Sequence, residues 1–185
     1  MIITVTGKPC SGKSAVVDYI SEKYGFEKID CGKMFREVAT SRGLDILELN
    51  RAKDTSIDKM VDDQIKEIGK TRMDDNIVFG SRTAWMFLPR AFNVFIDVNP
   101  DEQANRLLGS KRDDEIVDIS PEQAKKDLKE RWDLENERYN AIYGRDNTDP
   151  SKFDLVVNNS HLTIEQTAEK IYNGYLKFVE ELQNQ

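Results

Sequence analysis

Histidine, cysteine and long apolar runs are scarce in this chain of 185 residues, and each shortage removes a class of function. The single histidine, His161, lies in a polar stretch before the last helical segment, so neither a histidine base nor a histidine metal cluster is expected. The two cysteines, Cys10 and Cys31, form no disulfide framework and lack zinc-ligand spacing, which points to a reducing, cytoplasmic home. Either thiol could feel a helix N-terminus that favours thiolate, or simply serve as a small residue beside a tight loop. No apolar run approaches the roughly 20 residues of a membrane span. The first strand runs directly into a glycine-rich turn, so no secretory leader is expected. Basic residues number 27 against 34 acidic ones, a net charge of −7, which argues against nucleic acid as a partner and confines any positive site to a local patch. There is no internal repeat and no low-complexity segment.

What is present begins at once. Ile2 to Thr6 read as a short buried strand, and Gly7-Lys8-Pro9-Cys10-Ser11-Gly12-Lys13-Ser14 follows, matching G-x-x-x-x-G-K-[ST] without a mismatch. Glycines let such a loop curl so that successive backbone N–H groups face phosphate oxygens, and the next helix adds its positive end. In this pattern Lys13 reaches the β- and γ-phosphates of ATP and the Ser14 hydroxyl ligates Mg²⁺. The amphipathic segment after it (Ala15, Val16, Tyr19, Ile20) supplies the context that a chance glycine-rich turn would lack.

Strand and helix signals then alternate. A helix over 13–24 stops at Gly25, and a strand over 26–30 leads through Cys31-Gly32-Lys33 into a helix ended by Gly43. Asp45 and Glu48 read as a capping box. A polar helix over 55–71 carries Ile57, Met60, Val61, Ile65 and Ile68 at helical spacing. Residues 31–73 are therefore expected to form a small mobile helical insertion. Strands are expected at 77–79, 91–98 and 153–157. Asn99-Pro100-x-Glu102 opens a helix, and Ser120-Pro121 opens a long one to about Tyr143. Residues 110–120 read as a charged flap, and Thr163 with Gln166 caps a terminal helix. The expected fold is α/β: a five-stranded parallel sheet with helices on both faces and right-handed crossovers.

The helix over 121–143 holds a second clue. Arg131, Glu135 and Arg138 fall on the stripe defined by Ala124, Leu128, Tyr139 and Ile142, so two arginines are expected to face the body of the protein. Either an Arg–Glu–Arg ion network or a phosphate clamp accounts for them. Arg36, one turn after the second strand, and Arg82, just after the third, belong at the carboxyl edge of a parallel sheet, where such folds bind ligands.

With these residues in place the chain resembles the cytidylate kinase-like branch of the nucleoside monophosphate kinases, in the P-loop NTPase superfamily. The likeness runs through the phosphate loop, Asp30-Cys31-Gly32-Lys33-Met34-Phe35-Arg36, Gly80-Ser81-Arg82-Thr83-Ala84-Trp85, Arg131-x₃-Glu135-x₂-Arg138-Tyr139, Tyr143-Gly144 and Phe153-Asp154-Leu155-Val156-Val157. It implies a single kinase domain with core 1–30, 74–109 and 121–185, a monophosphate-binding insertion 31–73 and a lid 110–120. It further implies Arg36 and Arg82 on the acceptor phosphate, Arg131 and Arg138 bridging acceptor and transferred phosphoryl, Arg106 on the ATP side, and CMP or dCMP as acceptor. Two positions depart from the family's pattern. Gly80 stands where an acid usually orders the Mg²⁺ shell, and Ser110 where a further arginine is usual; Asp30, Lys111 or Arg112 are the residues that could stand in.

The reaction expected is ATP-dependent phosphoryl transfer between nucleotides, with Lys13, Arg131 and Arg138 as the catalytic set and Asp30, Arg36, Arg82 and Glu135 lining the acceptor site. A phosphate acceptor is largely dianionic near neutrality and needs no base. Two alternatives stay open: a kinase of a small-molecule hydroxyl using Asp30 as base, and a nucleotide-binding regulatory protein with impaired catalysis. Oligomeric state is not encoded in any pattern found.

Overall fold

A computed structural model describes residues 1–41, 43, 56–109 and 119–184 of the chain; the capping pair Asp45 and Glu48, and Ser110, Lys111 and Arg112, lie outside the described residues, as does the side chain of Arg36. Five strands, β1 (Ile2–Gly7), β2 (Glu27–Asp30), β3 (Ile77–Gly80), β4 (Phe92–Asp97) and β5 (Leu155–Asn158), form one sheet in the order β2-β3-β1-β4-β5. Every pairing is parallel. The expected five-stranded parallel α/β fold is what the chain adopts. β1 is central and buried at all six positions, the pattern of a strand covered on both faces.

The helices are α1 (Lys13–Tyr24), α2 (Cys31–Ser41), α3 (Ser56–Thr71), α4 (Ala84–Phe87), α5 (Pro100–Leu108), α6 (Pro121–Tyr143) and α7 (Ile164–Gln183). Their ends follow local chemistry. Gly25 closes α1 in the left-handed conformation, with φ of 73°. The Asn99 side chain accepts from Glu102 N at the start of α5, and Thr163 with Gln166 forms a complete capping box on α7. The four-residue helix α4 was not expected; the Ser81 hydroxyl accepts from Thr83 N and Ala84 N and nucleates it directly after β3.

Two apolar layers sandwich the sheet. On one face Val16, Val17 and Ile20 of α1 and Ala168, Ile171 and Tyr175 of α7 pack with Ile3, Val5, Val78, Val94 and Ile96. On the other, Ile57, Val61 and Ile65 of α3 pack with Ile2, Ile77, Phe79 and Leu88. The end of the expected insertion over 31–73 is thus packed against the sheet. Its last helix buries three β-branched side chains in the core, and its polar look in sequence comes from the face turned to solvent. Trp85 is a core residue: it is buried, lies 5.1 Å from Phe153 between ring centroids, and donates from Nε1 to Asn147 Oδ1 at 2.8 Å. Among the described residues no helix is long and apolar enough to cross a membrane.

Candidate active site

The carboxyl ends of β1, β2, β3 and β4 converge on the loop 8–12, and its conformation is set residue by residue. A Cβ on Gly7 would stand 2.5 Å from the Ile96 carbonyl oxygen, so only glycine lets β1 turn here. Cys10 and Gly12 both take positive φ, 56° and 76°, which curls the loop over the start of α1. The Lys8 carbonyl accepts from Ser11 N within the loop, while two further loop carbonyls are held by side chains from other elements. Gln103 Nε2 donates to Pro9 O at 2.8 Å, Asn159 Nδ2 to Ser11 O at 2.8 Å, and Arg106 Nη1 to the same Ser11 O at 3.1 Å. Arg106 is itself fixed by Glu102 and by the Asn159 carbonyl. Among the described residues no side chain caps the first turn of α1, which leaves its N–H groups and positive end open to an anion. The hydroxyl of Ser11 is buried and has no hydrogen-bond partner among the described residues, a polar atom that an oxygen-rich ligand could satisfy. Ser14 is exposed in that first turn.

Lys13 sits among groups of both signs. Burial lowers its pKa to about 8, with Arg82 pushing the same way and Glu135 and Asp30 opposing. A phosphate chain beside it would restore the cation. Lys8 points instead to the end of β4, where its Nζ lies 2.7 Å from Asp97. Beyond Lys8 a cavity of about 580 Å³ opens between α5 and α6, lined by Gln103, Lys125, Lys126, Lys129 and Trp132 among others. Three of its lysines are already paired with carboxylates, Lys8 with Asp97, Lys125 with Asp101 and Lys129 with Asp133.

A second cluster of charged side chains is organised by Glu135. Its carboxylate pairs with Arg82 and also accepts from Arg131 Nε at 3.2 Å, so one negative charge serves two guanidiniums. Arg82 is further held over the Trp132 ring, 5.8 Å from its centroid. Arg138 pairs with Asp58 and lies against Tyr139, whose hydroxyl burial pushes up to about 12. Arg131 departs from expectation. Its side chain is 55% exposed rather than inward, because α6 is anchored through Ala124 and Leu128 near its start and is only half covered beyond.

Asp58 and Asp62 were not singled out in the sequence, yet both are buried. Asp62 accepts from the Tyr143 hydroxyl and, at 3.4 Å, from the Thr83 hydroxyl. Burial raises its pKa against the pull of the Tyr143 hydrogen bond, and Asp58 adds to the rise. The signal was available: Asp58 and Asp62 repeat at i, i+4 immediately beside the apolar positions Ile57 and Val61. Gln103 and Asn159, which hold the phosphate loop, carried no such signal, since their partners are distant in sequence. Cys31 is buried, and its thiol is pushed up to about 11 by that burial, away from the thiolate form.

Asp30 stands level with Gly80 on the neighbouring strand, and its Oδ1 accepts from Lys33 N at 3.0 Å at the start of α2. A Cβ on Gly80 would lie 3.7 Å from Val17, ordinary contact distance, so packing does not demand glycine there. Among the described residues no group of three or more His, Cys, Asp or Glu converges as a metal cage. Mg²⁺ in kinase sites takes one or two protein groups plus phosphate oxygens and waters, a demand that Ser14 and Asp30 can meet.

The comparisons with known proteins fit this arrangement. Residues 2–161 match the family model described as the cytidylate kinase-like family. The chain is 33% identical over 181 residues to a cytidylate kinase of Sulfurisphaera tokodaii, covering 97% of each chain. It is 35% identical over 182 residues to a cytidylate kinase of Natronomonas pharaonis, covering 95% of this chain and 91% of that one. Among solved structures, an uncharacterized protein from Eubacterium ventriosum superposes with a TM-score of 0.70 at 17% identity over 94% of this chain and 96% of that one. Shikimate kinase from Aquifex aeolicus superposes with a TM-score of 0.58 at 21% identity, covering 95% and 96%. These two likenesses concern the fold. The sequence matches go further: this chain belongs to the cytidylate kinase-like family.

Proposed function

We propose that the protein transfers the γ-phosphoryl group of ATP to CMP or dCMP, giving the nucleoside diphosphate and ADP. Membership of the family makes it a nucleoside monophosphate kinase, and the relatives named cytidylate kinase support cytosine as the acceptor base. The observation that carries the reading is Glu135 shared between Arg82 and Arg131 beside Lys13, a cluster with more positive than negative charge and hence room for a second anion next to the phosphate loop.

In this reading the loop 7–14 and Lys13 cradle the ATP phosphates, with Arg106 steadying the loop. Arg82 and Arg36 hold the acceptor phosphate, while Arg131 and Arg138 close on the phosphoryl group in flight. An acceptor phosphate oxygen attacks the γ-phosphorus in line. The bond from γ-phosphorus to the bridging oxygen breaks, and that oxygen leaves on ADP. No base is required, because the acceptor arrives ionised and the side chains only orient it and neutralise charge. Mg²⁺, when bound, screens the phosphate oxygens; Ser14 and Asp30 are the residues that would hold it. Helix α2 would receive the nucleoside.

The test is diphosphate formation by purified protein with ATP, Mg²⁺ and a panel of CMP, dCMP, UMP, AMP and GMP. Turnover highest on CMP or dCMP is the expected result. ATP binding without turnover on any monophosphate would overturn the kinase reading, and preference for another base would overturn the choice of acceptor.

A further inference from the structure

We propose that Asp58 is a positioning residue: its carboxylate occupies Arg138 until an acceptor phosphate takes its place. The inference rests on the acceptor-side role given to Arg138 above. Asp58 stands in the first turn of α3, 8% exposed, and its Oδ2 accepts from Arg138 Nη2. A rigid element delivers it there. Ile57 and Val61 on either side of it are locked in the core, and one turn on Asp62 is tied to Tyr143 at the end of α6 and to Thr83, the residue after Arg82. The helix that presents the carboxylate is therefore fixed to both elements that carry the arginines.

A carboxylate and a phosphate monoester offer a guanidinium the same kind of paired oxygens, so they compete for the same N–H groups. A half-buried guanidinium needs a counter-charge at every stage. Asp58 supplies it before the acceptor arrives, the phosphate supplies it afterwards, and on product release the carboxylate returns. One consequence concerns specificity. A nucleoside or other alcohol without a phosphate brings no anion to displace Asp58, so Arg138 stays on the carboxylate and does not reach the transferred group. Asp58 thus sets the acceptor affinity and enforces the demand for a phosphorylated acceptor.

The experiment is acceptor binding and kinetics in Asp58→Asn, with Arg138→Ala and the double variant, each checked for folding by circular dichroism. Removing the competing charge is expected to tighten CMP binding roughly three- to tenfold, within the factor of ten that about 1.4 kcal/mol supplies. The KM for ATP should not move, and in the Arg138→Ala background Asp58→Asn should change nothing. A purely structural role predicts the opposite sign, weaker CMP binding. Should the asparagine variant not fold, Asp58→Ser is read in the same way. If Arg138→Ala weakens CMP binding while neither Asp58 variant tightens it, this inference is overturned and the clamp stands. If Arg138→Ala leaves CMP binding unchanged, the clamp itself fails and takes the inference with it.

Discussion

Asp30 and Gly80 face each other in register at the carboxyl ends of β2 and β3, so the carboxylate missing from one strand is present on its neighbour at the same level. Lys13 lies close enough to Asp30 to feel its charge. Replacing Asp30 with asparagine is therefore expected to slow turnover about tenfold and to raise the Mg²⁺ concentration needed for half-maximal rate, with folding preserved. Gly80→Asp should fit, since the added Cβ meets Val17 at an ordinary 3.7 Å, and should lower that Mg²⁺ requirement. A Mg²⁺ titration of the three proteins checks both. Complete loss of activity in Asp30→Asn would instead indicate either a base acting on a hydroxyl acceptor or an essential role in holding the metal.

Lys13 gives a pH dependence with a definite sign. In the free protein its pKa is lowered to about 8, chiefly by burial. The unfolded chain thus binds more protons than the native one between about pH 8 and the ordinary lysine value near 10.4, and the Lys13 contribution to stability rises with pH through that window. ATP binding runs the other way. It needs the cation, so the ATP dissociation constant should increase above pH 8, and binding should take up a proton there. Calorimetry in two buffers of different ionisation enthalpy measures the uptake. Lys13→Ala should remove the pH dependence and reduce transfer by on the order of 10³.

Glu135 holds two arginines with one carboxylate, which makes it the most exposed point of the charge balance. Glu135→Gln should leave Arg82 and Arg131 repelling each other and cost about 2 kcal/mol of stability. Because the loss is one of negative charge, inorganic phosphate should restore more melting temperature to the variant than to the parent protein. Equal stabilisation by phosphate in both would count against an anion site between these arginines.

Much of this could be read from the chain because the informative signals were local. The phosphate loop, the caps at Asn99, Ser120 and Thr163, and the strand–helix alternation each depend on residues within a few positions of one another; all five strands lie within two residues of their expected bounds, whereas α2 begins at Cys31 and α4 has no expected counterpart. What escaped required distant partners. The burial of α3 depends on Ile57, Val61 and Ile65 meeting Ile2 and Phe79, and the buried acids Asp58 and Asp62 find Arg138 and Tyr143 some 80 residues away. Arg131 shows the converse error. Its helical phase was right, but a stripe drawn on a 23-residue helix does not say how far along its length the body of the protein extends.

The last prediction separates the two substrates. Asn159, just past β5, donates to Ser11 O at 2.8 Å and also accepts from Arg106 at 3.1 Å, so one amide supports the phosphate loop and the arginine that steadies it. All of these contacts lie on the ATP side, away from Glu135 and Arg138. Asn159→Ala leaves the buried Ser11 carbonyl with one donor fewer, a loss of about 1–2 kcal/mol that falls on the loop geometry. The KM for ATP should rise about tenfold, while the KM for the monophosphate stays as it was. A matched rise in both KM values would mean that the loop and the arginine cluster move as one unit, and steady-state kinetics with each substrate varied in turn decides between the two.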